Sequence, residues 1–148
     1  MTELNIKYKK LHPKAKCPTK SHFEDAGWDL YSVSEVKVGP DPCKISTGIA
    51  VQIPQGYVGI IHDRSGLGSK GIKVHGGIVD SGYNGEIFVC LSFSGQEQQM
   101  GYKSLRMDAG HRIAQLVLHK IPLHVNWEEV EELGPTERSD GGFGSTGR

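Results

Sequence analysis

No stretch of this sequence is apolar for long enough to cross a membrane as a helix, and hydrophobic residues make up only 36% of it. The opening MTELNIKYKK lacks the apolar run of a secretory signal, so a cytoplasmic protein with no membrane partner is expected. Net charge is absent too. The 17 basic residues balance 17 acidic ones, so no global field draws the chain to nucleic acid, and direct nucleic-acid binding is not expected. Cys17, Cys43 and Cys90 are odd in number and share no CxxC spacing, which favours reduced thiols over a disulfide framework. His12, Cys17 and His22 match no common zinc pattern. No window of twelve or more residues carries the repeat of an amphipathic helix; only a short helical turn fits, near residues 66 to 71. Internal repeats and interdomain linkers are also missing.

What remains is the signature of strands and turns. Twenty glycines and seven prolines punctuate 148 residues at short intervals. Ile45, Thr47, Ile49, Val51 and Ile53 alternate with their neighbours up to Pro54, and Gln55-Gly56 reads as a turn. Ile87, Val89, Leu91 and Phe93 alternate again, as do Ile113, Gln115, Val117, His119 and Ile121. The expected fold is all-β, a barrel or sandwich of many short strands. The polar stretch 94 to 110 reads as a long hairpin loop, and KYKKLHPKAKCPTK and WEEVEEL as solvated surfaces of opposite sign. The chain divides into a barrel domain, residues 1 to 137, and a flexible glycine-rich C-terminal arm, 138 to 148.

Five segments look unlike ordinary strand and turn material. In DAGWDLYS, Asp29 enters a strand, where an aspartate is usually only a turn residue. In DRSGLGSKG, glycine amides, a serine hydroxyl and two cations, Arg64 and Lys70, make either a phosphate cradle or a plain surface turn, and it is not a P-loop. GGIVDSGYNGEI reads as a hairpin turning at Asn84-Gly85, with Asp80 after two apolar residues. A carboxylate with apolar walls could take a proton from an attacking water. In GHRIAQL, Arg112 and Gln115 are expected on opposite faces of a strand. The fifth segment, ERSDGGFGSTGR, has too many glycines to order itself, which suits a segment ordered by what it binds.

Taken in order, AGWDL, RSGLGSK, GGIVDSGYNGE, GHRIAQL and GGFGSTG resemble the five motifs of the homotrimeric all-β dUTP pyrophosphatases, the dUTPases. The resemblance implies a jelly-roll-like β barrel. It also implies hydrolysis of dUTP to dUMP and pyrophosphate, which limits uracil incorporation into DNA and supplies dUMP for dTMP synthesis. Asp80 matches the general base that deprotonates the attacking water. Asp29 matches an acid that touches Mg²⁺ through water. Arg64, Ser65 and Gly66 match phosphate contacts, and Gln115 a residue near the α-phosphate. The backbone from Val74 through Gly77, Ile78 and Val79 would read the uracil edge, with Tyr83 under the deoxyribose. In the tail, Arg138 matches a γ-phosphate contact, Phe143 a ring over uracil, and Gly144, Ser145 and Thr146 further ligand contacts. Each site would combine motifs one, two and four from one subunit, three from a second and five from a third.

His75, His111 and Ser139 depart from that family's usual pattern. Three other readings stand beside it: a dCTP deaminase on the same scaffold, for which no extra acid–base group is found; a catalytically silent nucleotide-binding regulatory module; and a structural trimer such as a capsid jelly roll, which would have no reason to combine Arg138, Phe143 and the glycines.

Overall fold

The computed structural model describes residues 3 to 95 and 104 to 147. Its elements in chain order are β1 (Lys7–Lys10), β2 (Gly27–Tyr31), β3 (Val36–Val38), β4 (Cys43–Gln52), β5 (Tyr57–His62), α1 (Ser65–Gly68), β6 (Ile72–His75), β7 (Ile78–Val79), β8 (Glu86–Phe93), β9 (Leu105–Met107) and β10 (Arg112–Lys120). One four-stranded sheet runs β1-β4-β8-β6 and a second β2-β10-β5-β7, while β3 and β9 form a two-stranded ribbon. All pairings are antiparallel. This is the expected all-β, jelly-roll-like fold. The single helical turn, α1, falls where the sequence allowed one. No helix among the described residues is long and apolar enough to cross a membrane.

The core follows from the alternation. Ile45, Ile49, Val51 and Ile53 from the β4 region and Ile87, Val89, Leu91 and Phe93 from β8 all turn inward. They join Leu30, Ile61, Val79, Ile113 and Leu116 of the second sheet in one cluster. Burying each such side chain stabilises the fold by about 1.5–3 kcal/mol. Thr47, the one polar member of the inward series, stays satisfied because its hydroxyl donates to the Ile87 carbonyl at 2.5 Å. The turn into β5 is closed by the Tyr57 amide donating to the Pro54 carbonyl at 3.1 Å. Gly56 takes the positive φ, 88°, which a type II turn requires.

Four expectations need correction. In β10 the inward residues are Ile113, Ala114, Leu116 and, in part, Leu118; Gln115, Val117 and His119 lie on the other face. An irregularity between Arg112 and Ala114 adds a residue to the pairing with β2 and reverses the phase of everything after it. For the same reason Arg112 and Gln115 share a face instead of opposing each other: they pair with Tyr31 and Asp29 respectively. The stretch 94 to 110 is not all loop, since Leu105–Met107 pairs with β3, and Arg106 is tied to Glu35 at 2.7 Å. Residues 96 to 103 of that stretch lie outside the described residues. Finally, β7 and β8 form no hairpin. They belong to different sheets, and the chain turns at Ser81-Gly82, where the Tyr83 amide donates to the Asp80 carbonyl at 3.1 Å, before Asn84-Gly85 is reached.

After Lys120 the chain has no strand or helix as far as Gly147. This coil holds large apolar side chains in solvent: Leu123, Val125, Val130, and above all Trp127 at 92% and Leu133 at 88% exposure.

Candidate active site

Two of the pockets among the described residues gather residues singled out in the sequence. The first, of about 270 Å³, is polar and joins Asp29, Arg64, Ser65 and Gln115. Asp29 sits on β2 and pairs directly with Gln115 on β10, which in turn pairs with His62 at the end of β5. Two residues beyond that strand end, the chain delivers Arg64 and Ser65. Antiparallel pairing thus brings three distant segments side by side across adjacent strands of one sheet.

The electrostatics centre on Asp29, whose carboxylate is only 14% exposed. Arg64 Nε donates to its Oδ1 at 2.9 Å, and Arg112 Nη1 stands 3.7 Å from its Oδ2. Both carboxylate oxygens are therefore turned towards guanidinium groups. Arg64 also donates through Nη1 to the Arg112 carbonyl at 3.4 Å, so its planar fork spans β2 and β10. Gln115 is held by its amide nitrogen, which donates to the Asp63 carbonyl at 2.8 Å. It also lies directly over Gly27: a Cβ on that glycine would collide with Gln115 Oε1 and stand 2.8 Å from its Cδ. Ser65 is exposed at the start of α1, and around Gly66 there is open space where a side chain would otherwise stand.

The second pocket, of about 390 Å³, lies between β5, β6, β7 and β8 and is lined by Gly77, Ile78, Val79, Asp80 and Tyr83. Gly77 closes its wall. Its carbonyl accepts from the Ile61 amide at 2.7 Å, and its φ of 106° with the Ile61 oxygen 2.7 Å from any Cβ excludes other residues. Asp80 is exposed at the end of β7, beside the buried Val79. Tyr83 folds back over Gly85, and its hydroxyl donates to the Glu86 carbonyl at 2.6 Å, which fixes the ring at the pocket edge. The glycine of the Asn84-Gly85 pair thus makes room for an aromatic ring. Val74 sits apart, its amide engaged by Asp63 Oδ1 at 2.6 Å.

The tail residues join neither pocket within this chain. Arg138 Nε donates to the Gly141 carbonyl at 2.7 Å, and the Ser145 amide to the Gly142 carbonyl at 3.1 Å. Phe143, Gly144, Ser145 and Thr146 are all exposed. Ser139 and Phe143 adopt φ of 53° and 50°, a left-handed conformation that favours glycine.

Several pocket residues were not among the candidate site residues read from the sequence. Lys20, Ser21 and Asp25 line the polar pocket, and Lys44, Cys90 and Glu86 the other. Asp63, which orients both Val74 and Gln115, makes contacts 11 and 52 positions away that no local pattern could show. Among the departures, His75 joins the wall of the second pocket, its Nε2 bonded to the Ser92 hydroxyl at 2.6 Å.

Comparison with known proteins agrees with this geometry. The dUTPase family model matches residues 13–147. The deoxyuridine 5'-triphosphate nucleotidohydrolase of Corynebacterium glutamicum is 42% identical over 153 residues, covering 100% of this chain and 99% of that protein. Among solved structures, the Staphylococcus bacteriophage 80alpha dUTPase with dUPNHPP aligns at a TM-score of 0.86 and 32% identity, over 97% of this chain and 99% of that one. A dUTPase from phage phi11 of S. aureus, whose structure concerns coordination of a structural Mg(II) ion, aligns at 0.77 and 27% identity, over 87% of this chain and 98% of that one. With four of its five motifs on the two pockets and the fifth in the exposed C-terminal coil of a jelly-roll-like scaffold, the chain belongs to the dUTPase family.

Proposed function

We propose that this protein hydrolyses dUTP to dUMP and pyrophosphate by attack of water on the α-phosphorus. The observation that carries the reading is the gathering of Asp29, Arg64, Ser65 and Gln115, distant in sequence, in one polar pocket, with Asp80 and Tyr83 in a second. The first suits a polyphosphate: a hydroxyl, an amide side chain and a guanidinium line a polar cavity. The second suits a nucleoside: mostly apolar walls, backbone groups at a tight glycine turn, and a tyrosine ring held at the edge.

In the proposed step Asp80 accepts a proton from the attacking water as its oxygen bonds to the α-phosphorus. The bond from that phosphorus to the bridging oxygen breaks, and pyrophosphate leaves with the electron pair. Gln115, held by Asp63, orients the reacting centre. The backbone around Gly77, Ile78 and Val79 reads the uracil edge; cytosine would leave buried donors and acceptors unpaired. Tyr83 excludes a 2′-hydroxyl.

The residues of the polar pocket fit Mg²⁺ held chiefly by phosphate oxygens and water. Because both oxygens of Asp29 face guanidiniums, a contact through water suits this carboxylate better than direct ligation. When bound, the ion would offset charge on the departing pyrophosphate. The arm, residues 138 to 148, then acts as a lid: Arg138 on the γ-phosphate, Phe143 over the base, and Gly144, Ser145 and Thr146 against the ligand. A homotrimer with sites shared between subunits is supported by the exposed Trp127, Leu133 and Phe143 and by the separation of the two pockets within one chain.

The test is pyrophosphate release from dUTP, dTTP, dCTP and UTP, with Mg²⁺ and with a chelator. Turnover of dUTP far above the others, lost with the chelator, is expected. Comparable turnover of UTP or dCTP refutes the pocket as described, and ammonia released from dCTP identifies a deaminase instead.

A further inference from the structure

The polar pocket contains a cation that none of the motifs includes. Lys20, in the connection between β1 and β2, is half-buried and lines the pocket beside Asp29, Arg64, Ser65 and Gln115. Its ammonium is held in place by four contacts. It donates to the Phe23 carbonyl at 2.7 Å and the Asp25 carbonyl at 3.2 Å, and it lies 4.8 Å from the Trp28 ring centroid and 5.6 Å from that of Phe23. An ammonium has three donors, so one stays available.

Charge accounting sets this lysine apart from the arginines. Arg64 and Arg112 share the Asp29 carboxylate, which cancels part of their field. The other nearby acid, Asp25, accepts from the His22 amide at 2.8 Å and pairs with its ring at 3.4 Å. Lys20 forms no ion pair among the described residues; its partners are carbonyl dipoles and ring faces, which position a cation without neutralising it. An unneutralised, pre-positioned ammonium at the edge of a polyphosphate pocket has an anion as its natural partner.

The geometry points to Lys20 as an additional substrate-binding residue that contacts the polyphosphate of the nucleotide. The assignment rests on the reading of this pocket as the phosphate half of the site. The competing role is structural, a peg for the loop 21 to 26.

The experiment measures the Kd of the non-hydrolysable imido analogue of dUTP, and of dUMP, for wild type, Lys20→Met and Lys20→Arg, at fixed Mg²⁺. Methionine keeps the stem over Trp28 and removes the charge. Lys20→Met should weaken the analogue about five- to twentyfold, the effect of one charge-assisted contact, and leave dUMP within about twofold. Arginine should recover most of the loss, and the methionine variant's Kd should depend less on salt. Unchanged analogue binding by Lys20→Met, or equal losses for dUMP and the analogue, overturns the assignment. If wild type itself fails to bind the analogue, the reading of the pocket falls, and this inference with it.

Discussion

Substituting Gly27 by alanine should disable the site while sparing the fold. The added Cβ would collide with Gln115 Oε1 and come within 2.8 Å of Cδ and 3.0 Å of Cβ. The amide can swing away because it is the far end of a flexible side chain, but in doing so it gives up its 2.8 Å bond to the Asp63 carbonyl. That exposed bond contributes about 1 kcal/mol, a fall in Tm of about 3 °C for a chain of this size. Loss of the amide from the reacting centre is worth about 2 kcal/mol of transition-state stabilisation, or ~30-fold in kcat/KM. The assay is a double-mutant cycle with Gln115→Ala, monitored by pyrophosphate release and thermal melting. If Gly27 acts by letting Gln115 lie over it, the double variant is no slower than either single one. Multiplication of the two losses, or full activity in Gly27→Ala, would refute the reasoning. Gly134→Ala, which meets nothing within 4 Å, serves as the neutral control.

Gly77→Ala acts through the fold instead. With φ at 106° and a backbone oxygen 2.7 Å from the new Cβ, relief requires moving β5 or the turn, at a cost of about 3 kcal/mol and a Tm lower by about 10 °C in a melting scan. Truncation after Gly134 should leave the melting temperature within about 2 °C, since the bonds described for residues 135 to 147 are all local, while dUTP hydrolysis falls by at least tenfold. Iodoacetamide followed by peptide mapping should modify exposed Cys17 well before Cys43. Burial, then the neighbouring Cys90, raises the Cys43 thiol above its usual range, so its reactive thiolate forms only at higher pH.

The parts of the fold legible in the sequence were those where one physical effect acted alone. Residues 45 to 53 and 87 to 93 alternate because each strand has one face on a single core, and those faces were read correctly. In β10 a bulge competes with the pattern. Period-two reasoning assumes unbroken pairing, so one added residue after Arg112 inverted the face assigned to Gln115. β9 has three residues and no period to detect; pairing with β3 and the Arg106–Glu35 ion pair define it. Asn84-Gly85 carried a hairpin signal, yet the sheet assignment of β7 and β8 overrode it, and the turn moved to Ser81-Gly82.

The site divides in the same way. Asp29, Arg64, Ser65 and Gln115 were singled out through the resemblance of their segments to the dUTPase motifs, since composition alone left each open to a plain turn or strand reading, and the fold places all four on one pocket. Lys20 and Asp63 were not, because what matters about Asp63 is a long-range contact and about Lys20 its seat in the pocket without an ion pair among the described residues. The tail residues were visible in sequence through the fifth motif, but within one chain they line neither pocket.

The most direct test of the account is the kcat of Asp80→Asn with dUTP and Mg²⁺, measured beside its affinity for the imido analogue. Loss of the proton acceptor with shape retained should lower kcat by about 10²- to 10⁴-fold while the analogue binds within a few-fold of wild type. Turnover close to wild type would contradict the assignment of Asp80 as the base.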